Sequence, residues 1–242
     1  MIGALRAEWG KTFSLLSPIL CLAATLITVV VTALSLGNDF VRGLDIGEQP
    51  AGATANVVDV LGPAVQFGIL TFAAFAMVTI TAEYSSGSIH STFQAQPRRA
   101  LVLAGKSVIG VAIGLLSGTI VGALGLAAGL FALEGHAAAL REPGAVTALR
   151  VGVLFAVAAI LVIAIGVIVR SAVGTLAASL VLLVGMLALP PSVSVWTPAG
   201  GAAAFVTADH TDYPSFVGIL VVAAWAAAAY VIASVLLQRR DA

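Results

Sequence analysis

The sequence predicts an all-α, polytopic membrane protein with six transmembrane helices, and three observations predict it. The first is composition. Of 242 residues, 60% are hydrophobic and 9% charged, with a mean hydropathy of +1.12. A soluble domain carries roughly 25% charged residues, and so few charges cannot supply a polar exterior for a chain of this size. The second is spacing. Uncharged runs occupy 12–38, 60–82, 107–133, 151–169, 171–208 and 213–238. A helix rising about 1.5 Å per residue needs about 20 residues to cross a bilayer, so spans fall near 16–36, 60–82, 101–130, 151–170, 173–190 and 215–237. The third is charge bias.

With six spans, both termini share one side. That side receives Arg6, Lys11, Arg98, Arg99, Lys106, Arg170, Arg239 and Arg240, eight of the eleven basic residues. Of the eleven acids it holds Glu8, Glu83 and Asp241, giving +5 there against −5 on the opposite side. Basic residues mark the cytoplasmic face, so both termini are expected in the cytoplasm. The preference for Ala, Gly and Val, and for Arg over Lys, points to a GC-rich bacterial genome and hence to a bacterial plasma membrane.

Residues 1–14 read as an amphipathic interface helix, because Ile2, Leu5, Trp9, Phe13 and Leu16 recur at intervals of three and four. Glu8, Trp9 and Lys11 lie on it at headgroup level, with Glu8 in reach of Lys11 or Thr12. The first span has no small-residue cleavage site and reads as a retained helix. In the first three spans, Thr25, Thr28, Thr32, Gln66, Thr71, Ser117 and Thr119 are among the few polar members; threonines there commonly bond back to their own helix.

The third span carries Gly110, Gly114, Gly118, Gly122, Gly125 and Gly129. Such spacing allows close helix approach, either inside one bundle or at a moving or dimerising surface. Pro190-Pro191 ends the fifth span, since adjacent prolines remove backbone donors. Residues 191–213 then form a broken outer segment, surface-lying or re-entrant, with Trp196 at interfacial depth. Tyr213 and Pro214 begin the sixth span.

The one substantial interruption on the basic side is the loop at 83–99. Glu83 stands at a helix C-terminus, where the dipole disfavours an anion; it requires a basic partner or a role in capping the next helix, to which Ser85 or Ser86 could contribute. Ile89 and Phe93, four apart, form two apolar knobs on one face of a short helix that Pro97 ends. Arg98 and Arg99 follow at the headgroups, and Lys106 is placed to snorkel back toward them.

Net charge is zero, which gives no basic surface for nucleic acid. Cys21 is the lone cysteine, and His90, His136 and His210 match no metal-ligand spacing. No carboxylate pair, HExxH, Ser/His couple or phosphate-cradling glycine loop is present, so no enzyme activity and no bound cofactor are expected of this chain. The absence of a strongly ionisable group near mid-membrane argues against an ion-coupled pump.

The order Glu83, Gly87, Pro97-Arg98 and Lys106 between second and third spans resembles the signature of ABC-2 type permeases, the membrane-spanning subunits of ABC transporters. Ala7–Lys11 (AEWGK) and Pro198–Phe205 (PAGGAAAF) are similar to the opening and the outer segment of those proteins. One departure is Ser88-Ile89, where the family has Thr-Leu. The resemblance covers the whole chain. It implies a homodimer, or a pair with a close paralogue, in membrane lipid, joined by two copies of an ABC ATP-binding subunit that holds ATP and Mg²⁺. It makes Glu83, Gly87, Ile89, Phe93, Pro97, Arg98 and Lys106 the ATPase-coupling interface, residues 191–213 the closure of the outer exit, and residues 1–14 an interface helix. The mostly apolar spans make export of a hydrophobic or amphipathic substrate the expected activity. A scaffold or sensor that recruits a cytoplasmic partner without moving cargo is the alternative.

Overall fold

The structure is a computed structural model describing residues 9–10, 16–50, 52–88, 94, 99–140, 142–208 and 211–239. Four long helices come first: α1 (Leu16–Asp45), α2 (Val57–Ser85), α3 (Arg99–Ala132) and α4 (Gly144–Val169). A broken stretch follows, comprising α5 (Ala172–Leu183), a 3₁₀ turn (Gly185–Ala188), α6 (Pro191–Ser194) and α7 (Pro198–Thr207). The long α8 (Ser215–Arg239) closes the chain. Among the described residues the only non-helical pairing is one bridge, Ala55 with Ala137, which ties the α1–α2 loop to the α3–α4 loop.

Five helices, α1, α2, α3, α4 and α8, are long and apolar enough to cross a membrane. The chain is therefore an all-α, multi-pass membrane protein. The expected fifth span at 173–190 is not a sixth helix of that kind. At Val184 the backbone leaves helical geometry (φ −135°, ψ −50°) and tightens into the 3₁₀ turn. Helix and turn together rise about 26 Å, against about 30 Å of hydrocarbon. The break frees the Leu183 carbonyl, and the Gln66 side-chain amide of α2 donates to it. The broken stretch still runs from one end of the bundle to the other. Thr175 packs beside Gly166 near the end of α4, whereas Thr207 packs against Gly62 near the start of α2.

The most buried of the long helices is α4, and its closest neighbour is α3. A methyl group built on Gly114 would lie 2.8 Å from the Phe155 carbonyl oxygen; on Gly118 it would lie 2.9 Å from Gly152 Cα, and on Gly122 3.0 Å from Ala148 Cα. Side chains at these positions would force the two helices apart. Gly125 and Gly129 turn instead toward Val29 and Leu61, and toward Val57 and Val60. These glycines of α3 are thus taken up by packing within the chain. In lipid such contact rests on dispersion between closely fitted surfaces, because burying apolar groups away from apolar lipid yields little. Phe72, Phe75 and Phe155 fill the centre, with ring centroids 5.5 and 4.7 Å from Phe72.

Four of the hydroxyls named from the sequence bond back to their own helix. Thr25 donates to the Cys21 carbonyl, Thr71 to Gly68, Ser117 to Ile113 and Thr119 to Leu115, at 2.7–2.8 Å.

Before α8, α7 packs into the bundle. Thr197 caps it by accepting from the Gly200 amide, Pro198 starts it, and Ala199, Gly201, Ala202, Phe205 and Val206 are buried. Its close approach to α8 depends on Gly201 and Gly218 facing each other, where a side chain on either would strike the other's carbonyl. Outside it, Trp196 is exposed and stacks near Tyr213 at 5.6 Å; the Tyr213 hydroxyl donates to the Val195 carbonyl and the Trp225 indole to that of Trp196. This is an aromatic cluster of the interfacial kind.

Candidate functional site

At the end of the bundle formed by the C-termini of α2, α4 and α8 and the start of α3, two charges are packed away from solvent. Glu83 lies in the last turn of α2 and Lys106 in the third turn of α3. Lys106 Nζ sits 3.0 Å from Glu83 Oε1, with side-chain exposures of 2% and 11%. The same ammonium donates to the Thr79 carbonyl at 3.1 Å. Lys106 therefore does not snorkel toward the headgroups; it points inward, because the register of α2 and α3 places a carboxylate opposite it. Of the two roles open to Glu83, the structure selects the basic partner.

The surroundings are dry. Ile80, Tyr84, Val102, Leu103, Val167 and Leu237 close around Lys106 and leave a gap of about 10 Å³, at the lower limit for one water. Removing two charges from water costs several kcal/mol per ion, which their attraction offsets only in good geometry. Such a pair adds little net stability compared with apolar residues. Its physical effect is to fix one register of α2 against α3.

Beside it, Arg170 ends α4 in the left-handed conformation (φ 56°), its amide donating to the Gly166 carbonyl, and holds its guanidinium 5.3 Å from the Tyr84 ring centroid. The α4–α5 turn is thereby linked to the last turn of α2.

Gly87 adopts φ +70° just past the α2 C-terminus, a conformation that favours glycine after a helix. The Ser86 hydroxyl donates back to the Ala82 carbonyl at 2.8 Å, finishing α2, and accepts from the Ser88 amide of the following turn at 3.4 Å. Ile89, Phe93, Pro97 and Arg98 of the expected coupling loop lie outside the described residues, as do Glu8 and Lys11 of the expected interface helix. Trp9 is described and is half-exposed.

The opposite end carries a cluster that the sequence reading missed. Arg150, in the second turn of α4, bonds the Glu142 carboxylate at 2.6 Å, the Phe205 carbonyl at 3.1 Å and the Ser215 hydroxyl at 3.0 Å, and lies 5.4 Å from the Phe205 ring centroid. One guanidinium thus joins α4, α7, the start of α8 and the loop before α4. The fork of donors in arginine suits such a junction and a lysine would not reproduce it. The only available signal was a lone arginine at the edge of an apolar run, which read as a loop charge.

Among the described residues no group of His, Cys, Asp and Glu could hold a metal ion. The described residues thus show two polar fastenings at opposite ends of an apolar bundle. No protein-family model matches this chain, and no curated protein does.

Proposed function

We propose that this chain is the membrane subunit of an ATP-driven exporter of the ABC-2 permease type, carrying a hydrophobic or amphipathic substrate. The buried Glu83–Lys106 pair is the observation that carries the reading. It joins α2 and α3 at the root of the polar stretch between them, so force applied to residues 83–99 reaches both helices as one unit. In this reading the chain crosses the bilayer six times, the broken α5 stretch being the fifth crossing, and both termini are cytoplasmic. Two copies of the chain, or the chain and a close paralogue, associate in the membrane with two ABC ATP-binding subunits. ATP and Mg²⁺ sit on those subunits, so this chain hydrolyses nothing. Ile89 and Phe93 dock on the ATPase, Pro97 and Arg98 end the docking helix, and Gly87 lets the chain leave α2 sharply. Glu8, Trp9 and Lys11 seat the leading helix at the headgroups. The α7 segment, held by Arg150, closes the outer end.

Co-purification tests the partner. Replacing Ile89 and Phe93 together with glutamate is expected to leave the membrane protein folded and to abolish both recovery of an ATP-binding subunit and transport. Undiminished association would sink the assignment. Cysteine accessibility tests the crossings: Ser88→Cys and Asp212→Cys are expected to react with an impermeant maleimide from opposite sides. Reaction of both from the same side would remove the fifth crossing.

A further inference from the structure

The break after α5 sets backbone groups outside any helical ladder. The ladder of α5 ends where the Val184 amide donates to the Leu180 carbonyl, and the 3₁₀ ladder starts where the Leu187 amide donates to the Val184 carbonyl. Gln66 takes the Leu183 carbonyl. The amides of Gly185 and Met186 and the carbonyls of Val181 and Leu182 fall between the two ladders, as groups at helix ends do. Gly185 is exposed, and what a glycine exposes is backbone. Two landmarks give the depth. Gly185 lies 15 residues beyond Arg170, about 22 Å along a helix, and Gln66 lies seven beyond Asp59, about 10 Å. Together these lengths span the hydrocarbon, so the break sits about 10 Å below the surface at the Arg150 end.

The face beside the break is open and carries hydroxyls. On α2, Gln66 turns to α5 and Gly68 to Val29 of α1; Phe67, between those two directions, is 54% exposed. The open face therefore runs from α1 across Phe67 to α5. On α1, Gly37 meets Ala132 of α3, while Val29 and Thr25 meet α2. At 100° per residue, the sweep from Gly37 through Val29 to Thr25 continues to Thr32, Thr28 and Ser35. These three border the open face, Thr28 and Thr32 half-buried and Ser35 exposed. Thr32 is six residues from Asn38, about 9 Å, and so stands level with the break. Thr25 bonds back to Cys21, but among the described residues the Thr28 and Thr32 hydroxyls have no hydrogen-bond partner.

Lipid tails offer no hydrogen bonds, so irregular backbone at this depth is tolerated only within protein or against water. We propose that the half of the α1–α2–α5 face toward the Arg150 end is a water-filled recess, open to the solution there and reaching down to the break. Water bonds the amides of Gly185 and Met186 and the carbonyls of Val181 and Leu182, and the hydroxyls of Thr32 and Ser35 continue the polar line up to Asn38 and Asp39. Water supplies donors and acceptors alike, whereas a covering protein surface would need a matched set of both at one spot. Below the recess about 20 Å of apolar wall remains. The inference rests on the six-crossing reading and on nothing about cargo or an ATPase.

Hydrogen exchange of the unaltered full-length protein in phosphatidylcholine nanodiscs gives the first test. The Gly185 and Met186 amides are expected to exchange within about a minute, as unbonded and wet amides do. Protection for hours would mean that lipid or protein covers the break, and would overturn the proposal. Thiol reactivity gives the second, in a Cys21→Ser background in sealed vesicles. Gly185→Cys fits without strain, since a Cβ there meets nothing closer than 3.6 Å. Gly185→Cys and Thr32→Cys are expected to react with a charged methanethiosulfonate at least about tenfold faster than Val31→Cys and Leu220→Cys, because a thiol reacts as its anion and hydrocarbon suppresses ionisation. Val31 and Leu220 are exposed at similar depth. Equal rates at all four positions would overturn the proposal. Ser88→Cys and Asp212→Cys judge the crossing separately: reaction from opposite sides with a silent Gly185→Cys removes the recess and keeps the crossing, whereas reaction from one side removes both.

Discussion

The two ends of the bundle are fastened by opposite means. At one end, Lys106 bonds the Glu83 carboxylate and the Thr79 carbonyl, almost wholly buried, between two helices. At the other, Arg150 makes contacts to a carboxylate, a carbonyl, a hydroxyl and a ring, with side-chain exposures of 17% for Arg150 and 32% for Glu142. A dry pair cannot be replaced by water when it separates, so its two helices stay in register. A half-wet junction can exchange each bond for one to solvent, and its segments can part at lower cost. The difference assigns rigidity to the Lys106 end and releasability to the Arg150 end. In α4 the two ends meet: Arg150 and Arg170 are 20 residues apart, about 30 Å along the helix, which matches the hydrocarbon thickness.

The largest expected effect breaks the dry pair. Lys106→Met leaves a buried carboxylate without its cation and is expected to cost about 3–5 kcal/mol. Unfolding of the purified protein in detergent measures it. The double variant Glu83→Gln/Lys106→Met removes both charges and is expected to regain most of that loss. If single and double variants were equally destabilised, the pair would not be as dry as its surroundings indicate, and the contrast between the ends would collapse.

Next comes the interface that holds both ends together. Gly118→Ala puts a methyl group 2.9 Å from Gly152 Cα, and backbone cannot yield as a flexible side chain does. A loss of about 1–3 kcal/mol is expected. Gly105→Ala, where a Cβ meets nothing within 4 Å, is the matched control on the same helix and should be neutral or slightly stabilising.

Arg150→Ala is expected to cost about 1.5–3 kcal/mol, the range for bonds to a charged donor, with its half-wet setting placing it at the lower end. Arg150→Lys should retain the attraction to Glu142 but lose the fork to Phe205 and Ser215. Proteolysis near residues 209–214 supplies a second readout: release of α7 from α8 should raise cleavage there in Arg150→Ala, and leave it unchanged in Lys106→Met if the ends act separately.

How much of this was legible follows from what lipid does to sequence. The positions of the long helices could be read because hydrocarbon excludes charge, and the uncharged runs therefore outline α1, α2, α3, α4 and α8. The break after α5 could not: residues 171–189 are uncharged throughout, and Gly185 alone marks the place where the helix tightens. Gly110 through Gly122 announced a close approach, but only the tertiary fold names α4 as the neighbour. Lys106 near the end of an apolar run has two outcomes, outward to headgroups or inward to an acid, and the relative register of two helices decides between them. Arg150 was hidden because the uncharged run begins at 151, whereas the helix begins at Gly144.

The smallest expected effect calibrates the others. Asp39 and Arg42 form an ion pair at 2.9 Å on the last turns of α1, with side-chain exposures of 66% and 73%. Its geometry is as short as that of the buried pair, so a difference between them must come from solvent rather than distance. Water screens the exposed charges and each side chain gives up rotamer freedom to hold the pose, so Arg42→Ala is expected to change stability by less than about 0.5 kcal/mol. Raising salt should leave even that value unresolved, while the loss in Lys106→Met should be insensitive to salt because counterions cannot reach it. An Arg42→Ala loss approaching that of Lys106→Met would mean that contact distance, and not burial, governs the polar fastenings of this bundle.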